Sequence, residues 1–471
     1  MDKQPDISSP VNQVNFSKGI YFIGIGGIGM SAIARYFHTQ GIPVSGYDKT
    51  ETLLTKELVR SGISVSYVDD LSLIPKEISL VVYTPAIPKD HKGLNFYQEN
   101  GYQVIKRSDV LKIITENSFN ICVAGTHGKT TVSTMIAHIL RHSGFGCNAF
   151  LGGISVNYGT NFWSNEKNVC VVEADEYDRS FLKLSPDVAV ITSMDADHLD
   201  IYQTEKALQD AFIQFSERVK SNGTLFSKFG LKRGSELKAG KHITYSLQND
   251  SAGVYATNIR MDNGSYEFDV VIKEKILEGF RLNMGGMHNV ENVVAAVAVS
   301  NHLEIEEEKI KDAVADFKGV KRRFEYIIKN DRLVFIDDYA HHPEELKALI
   351  KSAKALFGNW RCTLIFQPHL FSRTRDFADA FAESLDLADQ VILLPIYPAR
   401  ELPVEGVNSD MIAGKMTNKT HKVMQKESLL EWIRKDFIPS MSYEFGEIVI
   451  TAGAGDIDAL VEPIKKELQA I

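Results

Sequence analysis

Short runs of apolar, often β-branched residues alternate along nearly the whole chain with stretches whose apolar positions recur every three or four residues. The first pattern reads as a strand covered on both faces, the second as an amphipathic helix. Strands are predicted at GIYFIGI (19–25), SLVVYTPA (79–86), FNICVAG (119–125), NVCVVEA (168–174), DVAVITSM (187–194), RLVFIDDY (332–339), RCTLIFQP (361–368), DQVILLP (389–395) and EIVITAG (447–453). Strand–helix alternation of this kind builds parallel sheets flanked by helices, so the expected fold class is α/β. Between about 240 and 285 the rhythm changes to GVYATNIR, SYEFDVVIK and ILEGFRLNM, which predict an antiparallel edge or subsheet.

Three strand–turn–helix segments look like the starts of separate modules: 21–37, 119–140 and 324–350. They divide the chain into expected domains 1–117, 118–323 and 324–471, which suits a length of 471 residues, too long for one ordinary core. With 44% apolar and 24% charged residues the composition is that of a globular protein. A net charge of −9 argues against a non-specific nucleic-acid binder. The polar N-terminal stretch has no signal-peptide core, and no apolar run reaches the length of a membrane span. Cys122, Cys147, Cys170 and Cys362 form no C-x-x-C pair, and all but Cys147 lie in strand-like runs, where buried free thiols are expected. A cytoplasmic protein with no membrane and no nucleic-acid partner is the expectation.

Two glycine loops carry the chemistry. In YFIGIGGIGMSAIARYF, Gly24, Gly26 and Gly29 spell G-x-G-x-x-G, and Asp48 follows where a ribose-binding carboxylate would stand. Taken alone, that motif reads as an NAD-dependent oxidoreductase. The second loop, GTHGKTT, comprises Gly125, Thr126, His127, Gly128, Lys129, Thr130 and Thr131, between a strand and a helix. Backbone N–H groups at such a helix start cradle phosphate; Lys129 would reach the β- and γ-phosphates and Thr130 would offer its hydroxyl to Mg²⁺. It is shorter than the full P-loop pattern, with Val123 where the first glycine would be. Two acidic clusters follow strands downstream: Glu173, Asp175, Glu176 and Asp178, then Asp195, Asp197, His198 and Asp200. Either could be a solvated loop, but together, after a phosphate loop, they point to metal binding.

These motifs, with GMHNVENVVAAVAV (286–299), FKGVKRRFE (317–325), DDYAHHPEEL (337–346) and FQPHLFSRTRDF (366–377), resemble the Mur ligase family in order and spacing. The resemblance covers nearly the whole chain. It implies a Rossmann-like N-terminal domain for a UDP-sugar, a central P-loop ATPase-like domain, and a Rossmann-like C-terminal domain that binds the amino acid and closes on ATP. GIGGIGMS and the two C-terminal motifs look most like the branch that joins L-alanine to UDP-N-acetylmuramate, with ATP and Mg²⁺, through an acyl phosphate. Residue by residue, Thr130 and Glu173 would hold the first metal and His198 a second. Lys129, Glu173, His198 and Arg323 would be catalytic. Asn289 and Asn292 would border adenine, although Asn289 can equally cap a helix. Arg323 would meet the γ-phosphate and Asp338 the ribose. Gly26, Gly27, Ile28, Gly29, Met30 and Ser31 would contact the UDP-sugar diphosphate, with Asp48 on the nucleotide side and Thr84 and Arg107 toward the sugar. Tyr339, His341, His369, Arg373 and Arg375 would hold alanine, while the HHP segment also reads as a helix start with Pro343 in its first turn.

Some relatives hold a metal with a carbamoylated lysine on the helix after DHLD. Here TEKALQDAFIQF puts Phe212 near that position and Lys206 too early, so no modified lysine is expected. Competing readings are a ligase that recycles a peptide onto UDP-N-acetylmuramate, a folylpolyglutamate synthetase-like ligase, an NTP-dependent switch and the oxidoreductase. A monomer or homodimer is expected.

Overall fold

The structure is a computed structural model describing residues 16–116, 118–177, 179–196, 199–399, 401–442 and 445–469. Every strand predicted above is present, and they fall into three sheets. The first holds β1 (Ile20–Ile23), β2 (Val44–Tyr47), β3 (Ser64–Ser66), β4 (Leu80–Tyr83) and β5 (Val104–Lys106) in the order β3-β2-β1-β4-β5, all parallel. β1 is apolar at all four positions because it is the middle strand, buried on both faces.

The second sheet contains β6 (Phe119–Ala124), β7 (Asn148–Ser155), β8 (Thr160–Trp163), β9 (Val169–Glu173), β10 (Val188–Ile191), β11 (Thr224–Lys228), β12 (Lys241–Ser246), β13 (Val254–Asp262), β14 (Ser265–Ile272) and β15 (Lys275–Leu282). Their order is β15-β14-β13-β12-β11-β10-β6-β9-β7-β8. β6 pairs in parallel with β9 on one side and β10 on the other, so the glycine loop leaves an interior strand flanked by both acid-bearing strand ends. β13, β14 and β15 are the subsheet read from the pattern change. Two-residue links join them, which only antiparallel neighbours allow. One link is Asn263-Gly264, both at positive φ (44° and 71°), the backbone a tight hairpin needs.

The third sheet holds β16 (Glu325–Lys329), β17 (Leu333–Asp338), β18 (Arg361–Phe366), β19 (Gln390–Leu393), β20 (His421–Val423) and β21 (Glu447–Ala452), ordered β16-β17-β21-β18-β19-β20. Only β16 is antiparallel to its neighbour.

The chain forms two compact units. One takes in Met1–Thr257, described from Phe16 onward, with Asp269–Glu278 and Glu291–Val314; the other takes in Asn258–Phe268, Gly279–Val290 and Ala315–Ile471. Within the first unit one apolar cluster runs from Phe22, Ile33 and Phe37 to Phe150, Phe162 and Val172, with the Tyr36 ring 5.4 Å from that of Phe150 and tilted 60° to it. The change of sheet near residue 118 is therefore not a gap in the core. All four cysteines are buried and free. Among the described residues no helix is long and apolar enough to cross a membrane.

Candidate active site

The GTHGKTT loop links β6 to the helix Lys129–His142, and two of its glycines have backbones that other residues resist. Gly125 has φ 139° and Gly128, at the helix cap, φ 82°; a Cβ on Gly125 would also run into the Thr192 hydroxyl. The loop is braced from the end of β10. Ser193 Oγ accepts from His127 N–H (2.7 Å) and lies 2.8 Å from Thr126 Oγ1. Thr192 Oγ1 lies 3.1 Å from the Ala124 carbonyl and 2.5 Å from that of His127. Neither Thr192 nor Ser193 was singled out from the sequence; nothing in VITSM marks two hydroxyls as loop supports.

Lys129 Nζ donates to the Gly125 carbonyl (2.6 Å) and to Glu176 Oε1 (2.8 Å), and the Glu176 side chain is fully buried. Glu176, read from sequence as one of several acids after β9, is thus the ion partner of the loop lysine. Thr130 Oγ1 meets Glu173 Oε1 at 3.0 Å, and Gly152 N–H holds the other carboxylate oxygen at 3.0 Å. Burial pushes the Glu173 and Glu176 carboxyls up, and Lys129 pulls both back toward ionisation. The Thr130–Glu173 oxygen pair fits Mg²⁺: adjacent ligands of an octahedral ion with bonds of about 2.1 Å stand about 3 Å apart. Asp178, Asp197 and His198 lie outside the described residues; among those described, no three His, Cys, Asp or Glu converge as a metal cage. A small cavity is lined by Arg107, Ser108, Leu111, Glu173, Asp175, Ser180, Phe181 and Leu184, and Arg107 stands 3.5 Å from Asp175.

The first glycine loop belongs to the same unit. Gly26 N–H donates to Asp48 Oδ2 at 2.8 Å and Thr50 N–H to Asp48 Oδ1 at 3.1 Å, so Asp48 braces the loop with both oxygens. A Cβ at Gly26 would lie 2.7 Å from that carboxylate, and one at Gly29 would strike the Arg107 guanidinium. Thr84 packs beside Gly24. Met30 and Ser31 are buried, which leaves their backbone rather than their side chains for a ligand, and Ile28 is half-buried. Gly27 caps the helix Ile28–Thr39. Asn161 from β8 donates to the Ile28 carbonyl (2.5 Å), a support also missed in the sequence.

Asn292 lies in the helix Met287–His302 with its Oδ1 beside Gly128, about 3 Å from where a Cβ would stand. Asn289, in the first turn of that helix, donates its amide to the Gly285 carbonyl (2.6 Å), a helix-start role. Phe212 is fully buried against Phe181 (5.3 Å), and Lys206 is exposed.

In the second unit Tyr339, His341, His369 and Arg373 gather. The His341 ring lies 5.3 Å from Tyr339 and 5.9 Å from His369, which stacks on Tyr397. One guanidinium nitrogen of Arg373 and Nδ1 of His369 are buried without a protein partner. Burial lowers both imidazoles, His369 to about 4 with help from His341 and Arg373, so both are neutral near pH 7. Arg375 is not brought to this cluster; it is exposed and paired with Asp376 at 2.8 Å. Its place on a short helix turns it outward from Arg373, two residues away, so the two arginines do not make a fork. Asp338 accepts from Phe324 N–H and Ala340 N–H, each at 2.7 Å. The HHP segment does start a helix, Pro343–Phe357, and Glu345 receives the His341 and His342 N–H groups.

An interior parallel strand delivering a Gly-Lys-Thr loop, with a half-buried acid at the tip of the next strand, defines a P-loop nucleotide-binding protein of the α/β class. Family models match along the chain: "Mur ligase family, catalytic domain" at 19–118, "Mur ligase middle domain" at 123–300 and "Mur ligase, glutamate ligase domain" at 322–455. The chain is 47% identical over 459 residues to a Flavobacterium johnsoniae protein named UDP-N-acetylmuramate–L-alanine ligase, covering 97% of this chain and 99% of that one. A Porphyromonas gingivalis protein of the same name is 46% identical over 461 residues, covering 96% and 100%. The crystal structure of UDP-N-acetylmuramate-alanine ligase from Thermotoga maritima superposes with TM-score 0.81 at 27% identity, covering 96% of this chain and 99% of that one. This chain belongs to the Mur ligase family.

Proposed function

We propose that the protein joins L-alanine to the lactyl carboxylate of UDP-N-acetylmuramate, with ATP converted to ADP and phosphate, in the cytoplasmic synthesis of peptidoglycan precursor. The observation that carries this reading is the identity of 45–47% to relatives of that name over nearly the full length of both chains. The site supports it. A carboxylate is a poor electrophile, and transfer of the γ-phosphoryl group to it creates a leaving group that the alanine amine can displace.

Lys129 leaves Glu176 for the phosphates, and loop N–H groups hold the anion. Thr130 and Glu173 hold Mg²⁺, which when bound offsets charge on the phosphates; His198 is proposed for a second ion. The UDP-sugar lies along 26–31, with Thr84 and Arg107 toward the sugar. Asp48 shapes that loop. Asn292 and Asn289 border the adenine, Arg323 meets the γ-phosphate and Asp338 orders the turn near the ribose. Tyr339, His341, His369 and Arg373 bind alanine; a buried guanidinium nitrogen suits its carboxylate, and a neutral imidazole suits its ammonium proton. No lysine carbamate is expected: the family resemblance puts Phe212 near that position, and Phe212 is buried. The functional domains follow 1–117, 118–323 and 324–471, in a monomer or homodimer.

Phosphate release with ATP, Mg²⁺ and UDP-N-acetylmuramate tests the assignment, comparing L-alanine, L-serine, glycine and a tripeptide. Turnover with L-alanine is expected. Turnover with the tripeptide alone would make the protein a recycling ligase, and turnover without the nucleotide sugar would overturn the substrate assignment.

A further inference from the structure

Arg323 stands between two residues whose backbones are in the left-handed region without being glycine: Arg322 at φ 61° and Phe324 at φ 49°. Side chains with a Cβ resist that region, and such a turn persists only where its surroundings over-determine it. Here they do. Arg322 N–H donates to Glu325 Oε2 (2.9 Å), its carbonyl accepts from Tyr339 N–H (2.7 Å), and Phe324 N–H donates to Asp338 Oδ2 (2.7 Å). The Phe324 ring occupies the space a side chain at Gly285 would need.

The Arg322 side chain then pins the turn to the sheet. Its Nη2 donates to the Gly453 carbonyl, its Nε stands 3.4 Å from Asp337 Oδ2 as an ion pair without a hydrogen bond, its Nη1 lies 3.8 Å from Asp458 Oδ2, and its guanidinium lies 5.1 Å from the Tyr339 ring centre. Asp337 is 2% exposed and accepts from the Thr451 hydroxyl at 2.6 Å; Asp337 and Thr451 are register partners on β17 and β21. One guanidinium thus ties together the ends of two adjacent strands and the turn before β16. Arg323, by contrast, is exposed; its guanidinium lies 5.5 Å from the Tyr339 ring and acts electrostatically on Asp338 and His341.

We propose that Arg322 is a positioning residue: clamped by Asp337 and the Gly453 carbonyl, it holds the strained turn that presents Arg323 to the phosphoryl group being transferred. The inference rests on the reading of the chain as an ATP-dependent ligase in which Arg323 meets the γ-phosphate. A lysine could neutralise Asp337, but its single ammonium cannot span carboxylate, carbonyl and ring as a planar fork does.

The test is a double-mutant cycle on ATP turnover with wild type, Arg322→Ala, Arg322→Lys, Arg323→Ala and the double alanine variant, melting each protein in parallel. Arg322→Ala is expected to lower kcat by about tenfold or more, since misplacing a catalytic group by an ångström costs on that scale. Arg322→Lys should restore little of this. The double variant should be no slower than Arg323→Ala, because Arg322 acts through its neighbour. Multiplicative losses in the double variant, or wild-type kcat in folded Arg322→Ala, overturn the proposal. Should Arg322→Ala not fold, Asp337→Asn keeps the shape and the acceptor for Thr451. It is expected to lower kcat severalfold with the same non-additivity, and unchanged kcat overturns the clamp. A wild-type chain without ATP turnover would overturn the ligase reading and this inference with it; wild-type turnover with multiplicative losses overturns the inference alone.

Discussion

Thr192→Val removes one hydroxyl and almost no volume from the support of the ATP loop. In the structure that hydroxyl lies 2.5 Å from the His127 carbonyl and 3.1 Å from that of Ala124. One proton cannot serve both fully, and Ala124 is also served by Thr192 N–H at 3.0 Å, so the loss falls on the His127 carbonyl, which keeps only the longer contact to Ser193 Oγ at 3.3 Å. Stranding a fully buried acceptor costs about 1–3 kcal/mol, the upper bound for this part-buried carbonyl. The loop can recover part of this by turning His127 toward water, which removes it from the shape that holds phosphate. If binding draws only on the ordered fraction, that range corresponds to about 5- to 150-fold weaker nucleotide binding. Ser193 still holds His127 N–H at 2.7 Å, so the lower part of the range, about 5- to 20-fold, is expected. Equilibrium titration with an ATP analogue and Mg²⁺ reads the effect, with UDP-N-acetylmuramate titrated beside it and Thr192→Ser as the variant that keeps the hydroxyl. Wild-type nucleotide affinity in Thr192→Val, or equal weakening for both ligands, would refute the loop-brace argument.

Lys129→Ala should abolish phosphate release and also destabilise the protein, because it leaves the fully buried Glu176 without its cation; breaking a buried pair costs about 3–5 kcal/mol, limited here by protonation of a carboxyl already pushed upward. Adding Glu176→Gln should recover most of the lost melting temperature without activity, and equal melting of the single and double variants would show that the pair carries no such strain. His369 has a folded pKa of about 4, below the unfolded value near 6.5, so it favours the fold when neutral. That contribution is present above about pH 6.5 and is lost as pH falls toward 4; urea melts across this window should show a slope that His369→Gln flattens, and parallel profiles would refute it.

The long apolar runs were legible because an interior strand of a parallel sheet has no polar face to hide it. β1, β6 and β10 are buried at nearly every position. Some of the strands the pattern did not single out are short, polar or at edges, although β7 and β11 are interior and largely buried. β2 reads VSGY, and Gly46 is there because a Cβ would stand 2.5 Å from the Phe22 carbonyl. β3 and β20 have three residues each, too few for any period to register. The glycine loop and the acid at the tip of the next strand were legible as well, since local chemistry fixes both: Thr130 and Glu173 do meet. Arg375 stands apart from Arg373 because two residues along a helix turn a side chain to another face.

What the sequence withheld has one physical cause. Thr126 and Ser193 are 67 residues apart, Lys129 and Glu176 are 47 apart, and Asn161 reaches Ile28 across 133. The first two pairings exist because parallel strands far apart in the chain end side by side in one sheet; the third joins the helix after β1 to β8 of another sheet. A motif therefore names the group that touches the ligand, while the group holding it in place comes from whichever strand the topology puts next to it. Asp48 and Asp338 follow the same logic at closer range. Both are acids at strand ends, where a nucleotide ribose is the usual expectation, yet each uses its two oxygens to fix backbone N–H groups of a turn. Substituting either by asparagine would leave one turn amide facing a donor, so their loss should be felt first as loop disorder and only through it as weaker ligand binding.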